Sequence, residues 1–218
     1  PARSGSKGIK DKNIKHLGKK PLIGLAIDQC FRSKVFSKIY VSTDSIKYAK
    51  ISKKYGPVEI IMRPKKISND KSTDYEMVKH AIKNISSKYD FIAHIRPTSP
   101  LRKAEHLRKA FKDFIKSNYD SLRSVHEMQE TSYKTFEVKN GILKPLKNVD
   151  ISIDQLNAPR QNFAKTFFPN GIIDIYRKNF ILKNKLLFGR RVKAFITPFC
   201  QEIDTIEDYK YIKFLWKK

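Results

Sequence analysis

Beyond residue 13, apolar positions fall into two alternating rhythms, one of period 3.6 and one of period 2. Behind Pro21, a residue suited to a first helical turn, Leu22, Ile23, Leu25, Ala26, Ile27, Cys30 and Phe31 recur at helical spacing and predict a helix. Residues 37–43, carrying Ile39 and Val41, predict a strand, and Asp44-Ser45 can cap the helix that follows. Residues 58–62 predict a second strand, ending at Arg63-Pro64. After a polar loop over 68–73, Met77, Val78, Ala81, Ile82 and Ile85 mark a helix, residues 91–95 a short apolar strand, and Leu107, Ala110, Phe111, Phe114 and Ile115 a further helix. Residues 121–125 read as another strand, and then the rhythm breaks. From 127 to 166 the chain is polar and rich in Asn and Lys, with a hairpin signal at Asn140-Gly141 and no helix of the main series. Strands at 172–176 and 192–196 and a stripe of Ile206, Tyr209, Ile212, Leu215 and Trp216 complete a pattern of strands alternating with helices, which predicts an α/β fold.

A length of 218 residues suits one domain with one sizeable core. Hydrophobic content of 40%, with 14 Phe and 10 Tyr, argues against disorder, and no apolar run approaches the roughly 20 residues of a membrane span. No secretory leader is visible, and the distant Cys30 and Cys200 form neither a disulfide framework nor a metal cluster, so both read as buried, reduced thiols of a cytoplasmic protein. The formal charge of +25 raises the question of a nucleic-acid partner. Its lysines are spread through almost every segment without a recognition motif, which fits solvated helix faces and favours anionic small ligands.

The first thirteen residues are the richest in candidate chemistry. Two glycines, two small hydroxyls, Arg3 and several lysines in one short loop suit a triphosphate, since glycines admit phosphate oxygens close to backbone N–H groups and the cations supply charge. The spacing is neither that of a Walker loop nor of the dinucleotide fingerprint. A solvated basic tail is the alternative. A phosphate loop of this kind is ordinarily fed by a strand, so a short first strand ahead of Pro1 is expected. Residues 96–102, Arg-Pro-Thr-Ser-Pro-Leu-Arg, lie at the carboxyl end of a strand, where α/β sheets bind ligands; a proline-rich turn would explain the prolines but not Thr98 and Ser99. Glu202 and Asp204 stand two apart, a spacing that lets two carboxylates on extended backbone reach one hard cation, while Asp204-Thr205 can equally cap the last helix. The five histidines are isolated, which sets aside hydrolase triads and zinc sites.

The run Pro-Ala-Arg-Ser-Gly-Ser-Lys-Gly-Ile with Lys12-Asn13, followed in order by residues 96–102, Pro159-Arg160-Gln161, Pro169-Asn170-Gly171 and Glu202-Ile203-Asp204-Thr205, resembles the acylneuraminate cytidylyltransferases over nearly the whole chain. The resemblance implies a three-layer, Rossmann-like (GT-A-like) nucleotidyltransferase fold with a mostly parallel sheet, and a dimerisation arm at 127–166 that closes the sugar site of a second subunit in a homodimer or dimer of dimers. It implies transfer of CMP from CTP to the anomeric hydroxyl of a nonulosonic 2-keto sugar acid, with Mg²⁺, or Mn²⁺, on Glu202 and Asp204. Arg3, Lys12 and Asp204 would be catalytic. Arg3, Ser4, Gly5, Ser6, Lys7, Lys12, Asn13, Arg63, Thr73, Pro97, Thr98 and Ser99 would hold CTP, although Arg63 can also be read as a surface turn. Arg96, Arg102, Arg160, Gln161 and Asn170 would meet the sugar acid. The sequence departs from the best-known sialic acid enzymes at Arg96, where they have Gln and many relatives acting on other nonulosonic acids share Arg, and from the family pattern at Phe168 (Arg), at Asp174 (Tyr), at Asp74 (Ser) and at Glu202 (Asp). A synthetase for the eight-carbon acid Kdo is the nearest alternative, and a non-catalytic nucleic-acid-binding protein the distant one.

Overall fold

The computed structural model describes residues 1–86, 88–146 and 152–216. After the amino-terminal loop, a minute hairpin of β1 (His16–Leu17) and β2 (Lys20–Pro21) turns at Gly18 and delivers the chain into α1 (Leu22–Ser33), as the apolar stripe behind Pro21 predicts. Next come β3 (Tyr40–Thr43), α2 (Ile46–Lys53), β4 (Glu59–Met62), α3 (Asp74–Asn84), β5 (Phe91–His94), α4 (Ala104–Ile115) and β6 (Ser121–Glu127). Ser45 caps α2 by accepting from the Tyr48 N–H, and Thr73 and Glu76 close a reciprocal capping box on α3. The hairpin of β7 (Phe136–Lys139) and β8 (Ile142–Pro145) and the short α5 (Ile153–Leu156) interrupt this series. The chain then returns through β9 (Phe167–Arg177), α6 (Lys178–Asn184), β10 (Val192–Thr197) and α7 (Ile206–Trp216).

The main sheet has the order β10-β6-β9-β5, with β10 parallel to β6 and β9 antiparallel to both of its neighbours. Among the described residues, β5, β6 and β10 therefore run in one direction and β9 runs against them. The cause is the arm: β9 comes back beside β6, the strand from which the chain departed, and so runs against it. The β6–β9 register shifts between Arg123 and Val125, where the Ser124 hydroxyl accepts the Ile173 N–H. A separate parallel pair, β3 with β4, stands apart from β5 across an apolar slot of about 300 Å³ that takes side chains such as Ile39, Ile61, Val78 and Ile92 in its walls.

Helices cover both faces. Ile173 and Ile175 of β9 join Leu107, Ala110 and Phe114 of α4 in one core cluster, whereas Tyr176 packs with Met77 and Val78 of α3 and Ile181 of α6. Each completely buried Leu, Ile or Phe contributes ~2 kcal/mol, so these contacts fix the sheet between its helices. In the arm, Asn140 and Gly141 both adopt positive φ, 53° and 77°, which makes the two-residue turn that their sequence signals. Val138, Ile142, Leu143 and Leu146 of this hairpin region are exposed. Residues 147–151 of the proposed 127–166 insertion lie outside the described residues.

Candidate functional site

The amino-terminal loop is ordered around the carboxyl end of β3 and is not a tail. Ala2 donates its N–H to the Ser42 carbonyl at 2.8 Å, and Ser4 gives both its N–H and its hydroxyl to the Asp44 carboxylate, each at 2.8 Å. Asn13 is buried and its amide donates to the Arg3 carbonyl at 3.0 Å. Asp11, in the left-handed region, accepts from Lys47 and from the Tyr48 hydroxyl. Gly8 lies so close to the segment after Glu202 that a Cβ there would overlap the Asp204 carbonyl, while Gly5 has open space around it.

This loop forms one wall of a pocket of about 220 Å³. Arg3, Ser6, Lys12 and Asn13 reach it from the loop, Arg63 from the end of β4, Thr73 from the cap of α3, and Arg96, Pro97 and Thr98 from the end of β5. The cations are held by carboxylates: Arg3 and Lys7 share Asp70, at 2.6 and 2.7 Å, and Lys12 meets Asp204 at 2.8 Å. Arg63 differs. It is 8% exposed, yet its Nε and one terminal nitrogen have no hydrogen-bond partner among the described residues. Burial lowers its pKa, and the charge of Arg3 adds to this, against the favourable fields of Asp44 and Asp74. A buried, under-bonded guanidinium facing a cavity is costly unless something anionic or rich in acceptors fills it.

The 96–102 loop forms the floor. Thr98 and the fully buried Ser99 both donate to Glu202 Oε1 at 3.1 Å, and the Ile203 N–H donates to the Thr98 carbonyl at 2.8 Å. Arg102 turns away from the pocket. It is 2% exposed and donates to the carbonyls of Ile172, Arg96 and Gly171 at 2.5, 2.6 and 3.0 Å, so it staples the loop to β9 and has no face toward an anion in the pocket. Gly171, at φ +61°, permits this closure: a Cβ would overlap the Glu202 carboxylate and stand 2.7 Å from Ser99 Oγ. Gly171→Ala is expected to cost about 2 kcal/mol or more, read as a lowered denaturation midpoint in urea.

Asn170 is also internal, donating to Thr197 Oγ1 at 2.7 Å and accepting the Ile172 N–H at 3.3 Å. Arg160, at the end of the arm, meets the Glu127 carboxylate at 3.1 Å and the Met128 carbonyl at 2.8 Å, with Gln161 exposed beside it; neither residue lines the pocket. Glu202 and Asp204 are engaged by different partners, and no group of three or more His, Cys, Asp or Glu among the described residues could hold a metal ion unaided. Two carboxylates nevertheless match the way Mg²⁺ is commonly bound, with the remaining ligands supplied by phosphate oxygens and water.

Several pocket residues escaped the sequence reading. Asp70 and Asp74 belong to the polar loop and the helix start, and nothing in their local pattern marks them as partners of Arg3 and Arg96, which lie 67 and 22 positions away. His94 lines the pocket as well, and burial, reinforced by Arg96, keeps its imidazole neutral by pushing its pKa well down.

The family model described as cytidylyltransferase matches residues 1–215. The chain belongs to this family. An N-acylneuraminate cytidylyltransferase of Streptococcus agalactiae is 32% identical over 220 residues, covering 97% of this chain and 51% of that protein. This cytidylyltransferase family member thus spans about half the length of that curated relative. A pseudaminic acid cytidylyltransferase of Campylobacter jejuni is 26% identical, covering all of this chain and 94% of that protein. Among solved structures, a CMP:2-keto-3-deoxy-manno-octonic acid synthetase complexed with CTP superposes with a TM-score of 0.73 at 14% identity, over 100% of this chain and 96% of that one. The last likeness establishes a shared fold.

Proposed function

We propose that this cytidylyltransferase transfers CMP from CTP to the anomeric hydroxyl of a nonulosonic acid and releases pyrophosphate. The observation that carries the reading is the buried, under-bonded Arg63 guanidinium facing a pocket whose opposite wall is the ordered loop of Arg3, Ser6 and Lys12. Arg63 supplies donors to the base or ribose, and Arg3 and Lys12 neutralise the triphosphate when it displaces Asp70 and Asp204 from them. Glu202 and Asp204 would hold Mg²⁺ jointly with the phosphates, and the bound ion would supply charge neutralisation on the leaving pyrophosphate. The anomeric hydroxyl attacks the α-phosphorus as the bond to the β-phosphate oxygen breaks. Catalysis then rests on alignment and charge, which is what this set of cations provides.

The nine-carbon substrate is supported by the named activities of the streptococcal and campylobacter relatives. The eight-carbon alternative has only a likeness of fold behind it. Incubation with CTP and matched nine- and eight-carbon 2-keto acids, with products identified by mass, tests the choice: a CMP conjugate of a nine-carbon acid is expected, and one formed only with the eight-carbon acid would overturn it.

We further infer a homodimer joined through the β7–β8 arm. Val138 is 71% exposed, Ile142 62% and Leu146 58%, an apolar set that a lone subunit would leave in water. In light scattering the chain is expected at twice its 25.4 kDa mass, and the double variant Val138→Glu, Leu143→Glu at the monomer mass with turnover reduced about tenfold or more. A monomeric parent chain would contradict this.

A further inference from the structure

Arg96 and Asp174, which lie 78 residues apart, are in contact. One terminal nitrogen of Arg96 donates to Asp174 Oδ2 at 2.7 Å, and the other donates to Asp74 Oδ2 at 2.6 Å. Asp174 is 1% exposed, at the centre of β9, where the Tyr176 hydroxyl donates to it at 3.3 Å and Arg123 lies 3.7 Å from its second oxygen. Asp74 is the first residue of α3, directly after the capping Thr73 that borders the pocket. The guanidinium therefore spans from the buried middle of the sheet to the helix start that forms the pocket wall. The planar fork sets its two terminal nitrogens toward carboxylates on different elements. The contacts commit one N–H of each terminal nitrogen of Arg96.

We propose that Arg96 and Asp174 work as one positioning unit: Asp174 fixes the guanidinium, and the guanidinium pins Asp74 and the capped start of α3 against the nucleotide. Asp174 does not line the pocket, so its influence on a ligand there passes through Arg96. The proposal rests on the reading of the pocket as a CTP site.

Calorimetric titration of the full chain with CTP in the presence of Mg²⁺ tests it, using Arg96→Gln, Asp174→Asn and the double variant. Each single change is expected to weaken CTP binding about tenfold, and the double change also by about tenfold and not a hundredfold, because the two residues share one interaction. Loss of folded protein would lower the number of binding sites without moving the dissociation constant, so the constant separates positioning from a merely structural role. Asp74→Asn, at a half-exposed position that folding tolerates, supplies a second arm: it too should weaken binding about tenfold and fail to add to Arg96→Gln. Arg96→Lys keeps the charge but cannot fork, and is expected to behave as Arg96→Gln does. Full additivity in either pair, or parental affinity in the folded single variants, would overturn the proposal. Absence of CTP binding by the parent chain itself would remove the pocket reading and this proposal with it.

Discussion

Arg63→Met is expected to make the folded protein slightly more stable and nearly unable to hold CTP. The opposition follows from one side chain. Arg63 carries a charge while only 8% exposed, with Nε and a terminal nitrogen unbonded among the described residues, so its desolvation is incompletely offset. Methionine fills much the same volume without that cost. Each ~1 kcal/mol recovered should raise Tm by about 2–4 °C in a chain of this size. Bound CTP would accept hydrogen bonds from the guanidinium of this pocket-lining residue, and losing a charge-assisted contact in a buried pocket costs about 2–3 kcal/mol, or roughly a hundredfold in affinity. Thermal scans with and without CTP, together with calorimetry, check both halves. A lower Tm with unchanged affinity would identify Arg63 as a structural residue instead.

Turnover should fall about a thousandfold in Arg3→Ala with the fold intact, the size of effect seen when one preorganised charge on a transition state is removed. Arg3 is partly exposed and bonded to Asp70, a kind of surface pair worth about 0–1 kcal/mol, so its loss leaves stability almost untouched. Arg3 nevertheless lines the pocket beside Lys12, where the leaving phosphates would lie. Steady-state pyrophosphate release gives the measurement, and kcat/KM within threefold of the parent would exclude Arg3 from the reaction. Asp70→Asn complements it. Asp70 occupies Arg3 and Lys7 in place of phosphate, so removing its charge should tighten CTP binding a few-fold at low salt, an effect that fades as screening increases.

The elements legible in the sequence were those whose signals are local. The apolar stripe behind Pro21, the Ser45 cap of α2 and the Asn140-Gly141 turn each need only a few neighbouring residues, and each appears where its residues place it. The direction of β9 was not legible, because it depends on which strand the chain returns beside after the arm. Helix α6 escaped because its seven residues bury only Ile181, too few for a helical period to show. Within the site, the amino-terminal loop stood out by its composition and the 96–102 loop by its position at a strand end. What composition could not convey is the pairing. Arg102, expected to meet the sugar acid, is instead surrounded by three carbonyls of β9 and its own loop. Asp70, Asp74 and Asp174 acquire roles only when the fold brings them to Arg3 and Arg96 across long stretches of chain.

The most direct test of the central claim is pyrophosphate release from CTP and Mg²⁺ by the purified chain, supplied in turn with a panel of nine-carbon 2-keto sugar acids. Release that requires the acid, the metal and CTP together, and that disappears in Arg3→Ala, is the result this account predicts. A folded protein that binds CTP yet releases no pyrophosphate with any nine-carbon acid, while doing so with the eight-carbon acid or with none, would contradict it.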